Sequence, residues 1–178
     1  MNEEIEKYLI LLLGVENRPI PSMWHLEKEM FVLSRSNPKV QQFFNFEKHY
    51  NGPYSQILQE VVNEPLYYEN SYEFDEQKRI QLTDKGKQVF KEIFQKNKNN
   101  EKYLSLVDVV KFIRNLYDKL SKNELLFLVY RTYPEYTEFS NIYENLVQNE
   151  NIRNKIADSL LKKGLVTKKR YKELIKAE

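Results

Sequence analysis

The stretch SYEFDEQKRIQLT, residues 71–83, decides how this chain is expected to fold. Apolar and polar side chains alternate on both sides of a charged centre, a pattern typical of two antiparallel strands joined by a polar turn. One antiparallel register pairs Tyr72 with Leu82 and Phe74 with Ile80, and it places the four side chains on one face. The sequence therefore predicts a β-hairpin at this position.

Helices are predicted on both sides of the hairpin. Apolar residues recur at the i, i+3, i+4, i+7 spacing of a helix over residues 3–14, 23–36 and 54–64, and again after Thr83, which is a good N-cap. Three helices followed by a two-stranded hairpin is the element order of a winged helix, although another small α+β domain can share that order. We therefore expect a mostly α fold with a small β-hairpin (α+β), beginning with a winged-helix-like domain over residues 1–98.

The second half of the chain, residues 101–178, is expected to form a helical domain with a basic C-terminal helix. The polar segment 96–102 has no helical periodicity and is the predicted domain boundary. Within this half, the run Leu125–Tyr130 is apolar on every side of a helix. Two interpretations stay open for it: the run is core, or it forms the interface of a homodimer.

Composition excludes several kinds of chemistry. The chain has no cysteine, which removes disulfides, thiolate metal ligands and thiol nucleophiles and fits a cytoplasmic location. Its two histidines, His25 and His49, lie outside any metal-ligand spacing, and no Gly-rich phosphate loop or Gly-x-Ser-x-Gly motif is present. We therefore expect no cofactor and no metal. An acidic N-terminus and short apolar runs predict neither a signal peptide nor a membrane helix.

The charges are distributed unevenly along the chain. Residues 1–100 have 13 Lys and Arg against 15 Asp and Glu, a net charge of −2, whereas residues 101–178 have 15 against 11, a net charge of +4. Basic residues supply phosphate contacts on DNA, but Lys and Arg near the end of a helix also interact favourably with its dipole. The candidate contacts to DNA or to an anionic partner are Lys48, Lys78, Arg79, Lys168, Lys169, Arg170 and Lys172.

The third predicted helix, residues 54–64, would be the recognition helix if the domain read DNA. Its Gln and Asn side chains can read bases, but it has two glutamates and no Lys or Arg, so it does not attract phosphate. This balance favours recognition of a protein. The candidate partner contacts are Gln56, Gln59, Glu60 and Asn63. The motif before the helix is expected to form a tight bend that places its proline at the helix start; it consists of Gly52, Pro53, Tyr54 and Ser55.

Two stretches carry a resemblance to a known family. LEKEMFVL, residues 26–33, resembles the Leu-x-Lys-x-x-Phe-x-Leu helix of Panacea-type (SocA-like) antitoxin domains and the related YwgA-like proteins. Residues 46–55, which contain Gly-Pro-Tyr-Ser, are similar to another stretch of that family, and the match extends over residues 22–90. It departs from the family at Asn51, where an aromatic residue is frequent. The resemblance implies a bacterial or phage-encoded protein from a toxin–antitoxin or defence context, in which some members act as adaptors, and it supplies no catalytic residues.

The sequence favours a non-enzymatic regulatory binding protein, either an antitoxin-like adaptor with a protein partner such as a toxin, or a winged-helix transcriptional regulator bound to DNA. The alternatives are an enzyme or enzyme subunit with a site of separated carboxylates and tyrosines, and a structural dimerisation protein. Neighbouring carboxylates such as Glu27 and Glu29 do not support the enzyme, because charges on a helix are ordinarily solvated. An adaptor predicts an apolar or acidic surface around the third helix, a regulator a continuous basic face, and an enzyme a deep polar pocket.

Overall fold

The computed structural model describes residues 1–177, which fold mainly into helices with two small antiparallel hairpins. The strands are β1 (Glu47–His49), β2 (Gly52–Tyr54), β3 (Tyr72–Phe74) and β4 (Ile80–Leu82). The helices are α1 (Asn2–Gly14), α2 (Met23–Ser36), α3 (Pro38–Gln41), α4 (Gln56–Asn63), α5 (Asp84–Asn97), α6 (Glu101–Tyr117), α7 (Lys122–Thr132), α8 (Glu150–Lys162) and α9 (Lys168–Leu174). The predicted mostly α, α+β fold class is confirmed. Within residues 1–177, no helix has both the length and the apolar character needed to cross a membrane.

The contacts divide the chain into two compact units. The first contains residues 1–46 and 55–118, and the second contains residues 47–54 and the chain from residue 119 onward. The segment 96–102, predicted as the boundary between domains 1–98 and 101–178, lies inside the first unit because α6 packs against α1 and α2. The hairpin β1–β2 belongs to the second unit because it packs against α7 and a 3₁₀ turn at Pro134–Tyr136.

Helix α1 is the centre of the first unit. It contacts α4, α5, α6 and β4, and five consecutive side chains, Leu9–Leu13, are all buried. A helix on a protein surface buries a single stripe, so burial of every side follows from neighbours on every side. The helix ends at Gly14, where an added Cβ would lie 2.4 Å from a ring carbon of Phe90.

The hairpin β3–β4 has the register predicted from the sequence. Tyr72 lies opposite Leu82 and Phe74 lies opposite Ile80. Thr83 then caps α5 with its side chain, as expected. Helices α1, α2 and α4 precede this hairpin in the order of a winged helix, and the assignment to that fold stays a prediction.

The hairpin β1–β2 differs from the prediction for this part of the chain. The turn of the hairpin lies at Tyr50 and Asn51 rather than at Gly52, which begins β2 opposite His49 with a φ of 81°, in the left-handed region that glycine adopts without a steric penalty. Pro53 lies in β2 opposite Lys48 rather than at a helix start, and α4 begins three residues later. The stacked rings of His49 and Tyr54, whose centroids are 5.0 Å apart, join the two strands.

Helix α7 supplies most of the core of the second unit. Ser121 and Glu124 form a capping box at its start. The six side chains of Leu125–Tyr130 are all buried within one chain, so this run is core and offers no surface to a second copy. Gly164 follows α8 with a φ of 69°, and the side chain of Thr167 caps α9.

A buried arginine connects α6 to α1 and to the loop that follows α1. Arg114 has no exposed surface, and its guanidinium donates hydrogen bonds to the backbone carbonyls of Leu12, Arg18 and Pro19. Its Nε also donates to the carboxylate of Asp118 at 3.0 Å. A cation can be buried this completely only where acceptors surround it.

The prediction that Glu27 and Glu29 are solvated is wrong. Glu29 is fully buried, with its Oε2 3.5 Å from Nε of Arg114. Glu27 is also buried, with its Oε2 2.6 Å from Nζ of Lys28, a lysine that is itself buried and lies 5.5 Å from the ring centroid of Trp24. Lys28 offsets the desolvation of Glu27, whereas Arg114 offsets only part of the desolvation of Glu29.

Candidate protein-docking surface

Helix α4 has one face in the core of the first unit and one face in solvent. Leu58, Val61 and Val62 are buried, and α4 packs against α1. The helix begins after Ser55, which occupies the N-cap position but makes no side-chain cap bond. It ends shortly before Pro65, because a residue that precedes proline is disfavoured in the helical region.

The four candidate contact residues of α4 are engaged to different extents. Gln56, Glu60 and Asn63 are exposed and Gln59 is half-buried. Gln56 Nε2 donates to Glu60 Oε1 at 2.8 Å, and Asn63 Nδ2 donates to the carbonyl of Gln59 at 2.9 Å. Gln59 points inward, where its Nε2 donates to the carboxylate of Glu27 at 3.3 Å. The amides are therefore largely committed within the protein, which leaves few donors for the edges of DNA bases.

The loop after α4 is held in place by a buried carboxylate of α1. Glu6 has no exposed surface, and its two oxygens accept hydrogen bonds from the backbone N–H groups of Leu66, Tyr67 and Tyr68 at distances from 2.7 to 3.2 Å. These donors replace the water that the carboxylate loses on burial. The loop backbone is thereby fixed to the core of the first unit.

This anchored loop presents two large apolar side chains to solvent. Leu66 is 64% exposed and Tyr67 is 58% exposed. Because Glu6 fixes the backbone at both residues, a partner that covers them does not have to order the loop first. Exposed apolar side chains on a rigid segment are typical anchors of protein–protein interfaces.

The surroundings of these side chains are acidic. Between Lys48 and Lys78 the chain has six carboxylates and no Lys or Arg. Three exposed glutamates in this stretch form no ion pair within residues 1–177: Glu60, Glu64 and Glu69. We name the exposed face of α4 together with residues 64–69 the docking surface. It combines these three glutamates with a rigid apolar anchor, and the Nζ of Lys85 donates to the backbone carbonyl of Glu69 at 2.7 Å.

The cations predicted to contact DNA lie on three separate elements, of which two are the hairpins. Lys78 and Arg79 occupy the turn of β3–β4, where Arg79 Nε is 2.7 Å from Asp75 Oδ2. Lys48 of β1 forms an ion pair with Glu138. Both Arg79 and Lys48 therefore already have a carboxylate partner, which weakens their attraction for phosphate.

Helix α9 carries the other four predicted cations. Arg170 belongs to the fold, because its guanidinium donates to Glu173 at 3.0 Å. Lys168, Lys169 and Lys172 are exposed, and none of them forms an ion pair within residues 1–177. Lys168 and Lys169 lie in the first turn of α9, the end at which the helix dipole repels cations. The dipole therefore does not explain these two lysines.

The structure also brings carboxylates and tyrosines together, as the enzyme alternative requires. Glu3, Glu4, Tyr8 and Tyr103 line a cleft of about 460 Å³ in the first unit. Lys7 pairs with both glutamates, at 2.9 and 2.7 Å. Burial raises the pKa of Tyr8 and of Tyr103, so both hydroxyls stay protonated at neutral pH and are poor nucleophiles and bases. Lys7 therefore holds both glutamates, and neither tyrosine is activated as a nucleophile or a base.

The docking surface and the first turn of α9 are therefore two surfaces whose composition the fold does not explain. Within residues 1–177, no group of three or more His, Asp and Glu side chains is arranged to hold a metal ion. Comparisons of the chain with protein-family models, with curated proteins and with solved structures found no match.

Proposed function

We propose that this protein is a non-enzymatic binding protein of the cytoplasm, an antitoxin-like adaptor whose docking surface binds a basic segment of a partner protein. The observation that carries the proposal is the exposure of Leu66 and Tyr67 on a loop that the buried carboxylate of Glu6 fixes. The three glutamates of the docking surface that form no ion pair within residues 1–177 support a positively charged partner, because opposite charges steer association and like charges oppose it.

The anchor side chains stand on a loop that is already ordered before a partner binds. Association loses free energy when side chains and loops must be immobilised, and a fixed loop avoids much of that cost. Tyrosine is frequent among the residues that dominate interfaces, and its truncation to alanine at such a position costs about 2 kcal/mol, which is roughly thirtyfold in Kd. Tyr67 is the side chain of the docking surface to which this magnitude applies.

A phage-displayed library of random peptides tests the proposal, with the full-length protein as bait. We expect the enriched peptides to combine Lys or Arg with an apolar anchor, and to lose roughly thirtyfold in affinity on Tyr67→Ala. Leu66→Ala should weaken the same peptides. Isothermal titration calorimetry of the best peptide against each variant measures these changes.

Phe139→Ala is the matched control for this experiment. Phe139 is also a large exposed aromatic side chain, but it lies in the second unit, away from the docking surface in the sequence. The Phe139→Ala substitution should leave the peptide affinity unchanged. Peptides that bind Tyr67→Ala as tightly as the wild type, or the enrichment of acidic peptides, would contradict the proposal.

The first turn of α9 favours a second candidate function, the binding of DNA as a transcriptional regulator. Lys168 and Lys169 are placed where the helix dipole disfavours them, and Lys172 lies one turn later on the same short helix. Exposed cations without carboxylate partners are available to phosphate. This candidate uses the second unit, whereas the adaptor uses the first.

The substitution of Lys168, Lys169 and Lys172 by glutamine tests the DNA candidate. If these lysines contact phosphate, the variant should bind duplex DNA more weakly, and its log Kd should depend less steeply on log salt, by about one unit of slope per lost contact. Fluorescence anisotropy over a salt series measures both quantities. Arg170→Gln is not used, because it would break the pair with Glu173. An unchanged salt slope rejects α9 as a DNA contact, and no binding at low salt rejects the regulator.

A further inference from the structure

Helix α6 has a second apolar face that the fold of the chain does not cover. Its first apolar face is core and consists of Val107, Val110, Ile113 and Tyr117. On another side of the helix, Phe112 is 69% exposed and Val109 is 36% exposed, and Leu116 is only partly covered. A helix on the surface of a single chain needs one apolar face, so the second one requires a different explanation.

The spacing of this second face is that of a helix–helix seam. The positions Ser105, Val109, Phe112 and Leu116 are related as i, i+4, i+7 and i+11, the alternating spacing of four and three residues that brings side chains onto one line between two packed helices. We name these four residues the α6 seam. Ser105 is small and exposed, so it leaves room for a large side chain opposite it.

We infer that the α6 seam is covered by the α6 seam of a second copy of this chain, in an antiparallel pair about a two-fold axis. Centred between Val110 and Lys111, this pairing places Phe112 of each copy opposite Val109 of the other. It also places Leu116 opposite Ser105, so that large residues meet smaller ones along the seam. A two-fold arrangement is the commonest symmetry of protein dimers.

In this arrangement, the charges beside the seam of one copy are complementary to those of the other copy. Asp108 and Lys111 lie on the same flank of α6, both are exposed, and neither forms an ion pair within residues 1–177. With a rise of 1.5 Å per residue, the antiparallel pair brings Asp108 to within about 3 Å, along the axis, of Lys111 of the second copy. A parallel two-fold pair would instead place these flanks on opposite sides of the seam, so Asp108 would not meet Lys111 of the second copy.

The size of the seam sets the expected affinity. A helix with the 17 residues of α6 is about 25 Å long, and one helix face covers less than the roughly 800 Å² per partner of a standard stable interface. The pair should therefore be a weak and reversible dimer, with a dissociation constant on the order of 10–100 µM. The run Leu125–Tyr130, which is core, takes no part in it.

Sedimentation equilibrium of the full-length protein, from about 1 µM to about 500 µM, brackets this constant. The weight-average mass should begin at the 21.6 kDa of one chain and rise towards twice that value. Phe112→Glu should hold the mass at one chain throughout. Phe139→Glu, which places the same charge on an exposed phenylalanine outside the seam, should leave the association unchanged.

The flanking charges provide a second test, because exchanging them changes the predicted ion pairs but leaves the apolar residues of the seam unchanged. Asp108→Lys should weaken association by about tenfold, and adding Lys111→Asp should restore it, because the exchange re-forms the two ion pairs with reversed polarity. A monomer mass at every concentration overturns the inference. The inference is also overturned if Phe112→Glu still associates, or if the double variant associates as weakly as Asp108→Lys.

Discussion

Replacement of Gly86 by alanine is expected to destabilise the first unit by at least about 3 kcal/mol. A Cβ at this position would lie 1.8 Å from the carbonyl oxygen of Ser71 and 2.8 Å from its carbonyl carbon. These atoms cannot move alone, because Ser71 is fully buried and its carbonyl accepts the N–H of Thr83 at 3.0 Å. Either α5 or β3 would have to shift, and either shift disrupts the junction between the hairpin and the helix.

Gly164→Ala is the matched control for this variant. Gly164 has a φ of 69° and no atom within 4 Å of its Cβ position, so alanine there adds only backbone strain, about 1 kcal/mol. Each kcal/mol lowers Tm by about 2–4 °C in a protein of this size, so Gly86→Ala should unfold at least roughly 6 °C below the wild type. Thermal unfolding followed by circular dichroism measures both variants. Equal losses for the two glycines would contradict the steric argument.

The parts of the fold that depend on local chemistry could be predicted from the sequence. The β3–β4 register follows from alternation alone, because a shift by one residue would turn Tyr72 and Phe74 to the opposite face. Thr83, Ser121 and Thr167 cap their helices through hydrogen bonds that reach only three residues along the chain. All residues that form these contacts lie close together in the sequence, so the contacts can be predicted without knowledge of the tertiary structure.

The features that were not predicted depend on contacts between distant parts of the chain. Strand β1, Glu47–His49, is polar and exposed, and both strands of its hairpin have only three residues, so no alternation marks them. The charged run at residues 27–29 reads as solvated on its own. In the structure the run is buried: Lys28 pairs with Glu27, and Arg114, far along the chain, lies beside Glu29.

The candidate docking surface was predicted only in part. The third predicted helix has no Lys or Arg, and in the structure Glu60 of this helix and Glu64 after it are exposed. The loop that follows was missed, because its exposure depends on the bonds from Glu6 of α1 to the backbone at residues 66–68. One available signal was the Leu-Tyr pair directly after Pro65, since apolar residues in a loop have no helical or strand face to join.

Loss of the Arg114 side chain is expected to be as damaging as the clash at Gly86. Arg114→Met should reduce the free energy of unfolding by about 3–5 kcal/mol, the usual cost of removing one partner from a buried charge network. Methionine fills much of the space but donates no hydrogen bond. The carbonyls of Leu12 and Arg18 and the carboxylate of Asp118 would each lose a donor in the interior.

Lys102→Met controls for the loss of a positive charge on the same helix. Lys102 is exposed near the start of α6, so its replacement should change stability by no more than about 0.5 kcal/mol. Urea denaturation of both variants gives the comparison. A similar loss for the two substitutions would mean that the bonds of Arg114 add no stability beyond its charge.

The pH dependence of the free energy of unfolding shows whether Glu29 is protonated or ionised in this network. Burial raises the pKa of Glu29 well above its usual range, the charge of Asp118 raises it further, and Arg114 offsets only part of this effect. The folded protein therefore keeps a proton on Glu29 that the unfolded chain releases near about pH 4.3. As the pH rises from there towards the folded-state pKa, Glu29 reduces stability by up to about 1.4 kcal/mol per pH unit.

Glu29→Gln cannot lose a proton, so it should remove this part of the pH dependence. The free energy of unfolding of wild type relative to Glu29→Gln should fall as the pH rises above about 4.3, and it should level off once the folded-state pKa is passed. Urea denaturation of both proteins over a pH series measures the difference, in which the titration of all other groups largely cancels. A difference that is constant with pH would mean that Glu29 is ionised in the folded protein, with Arg114 and not a proton as its partner.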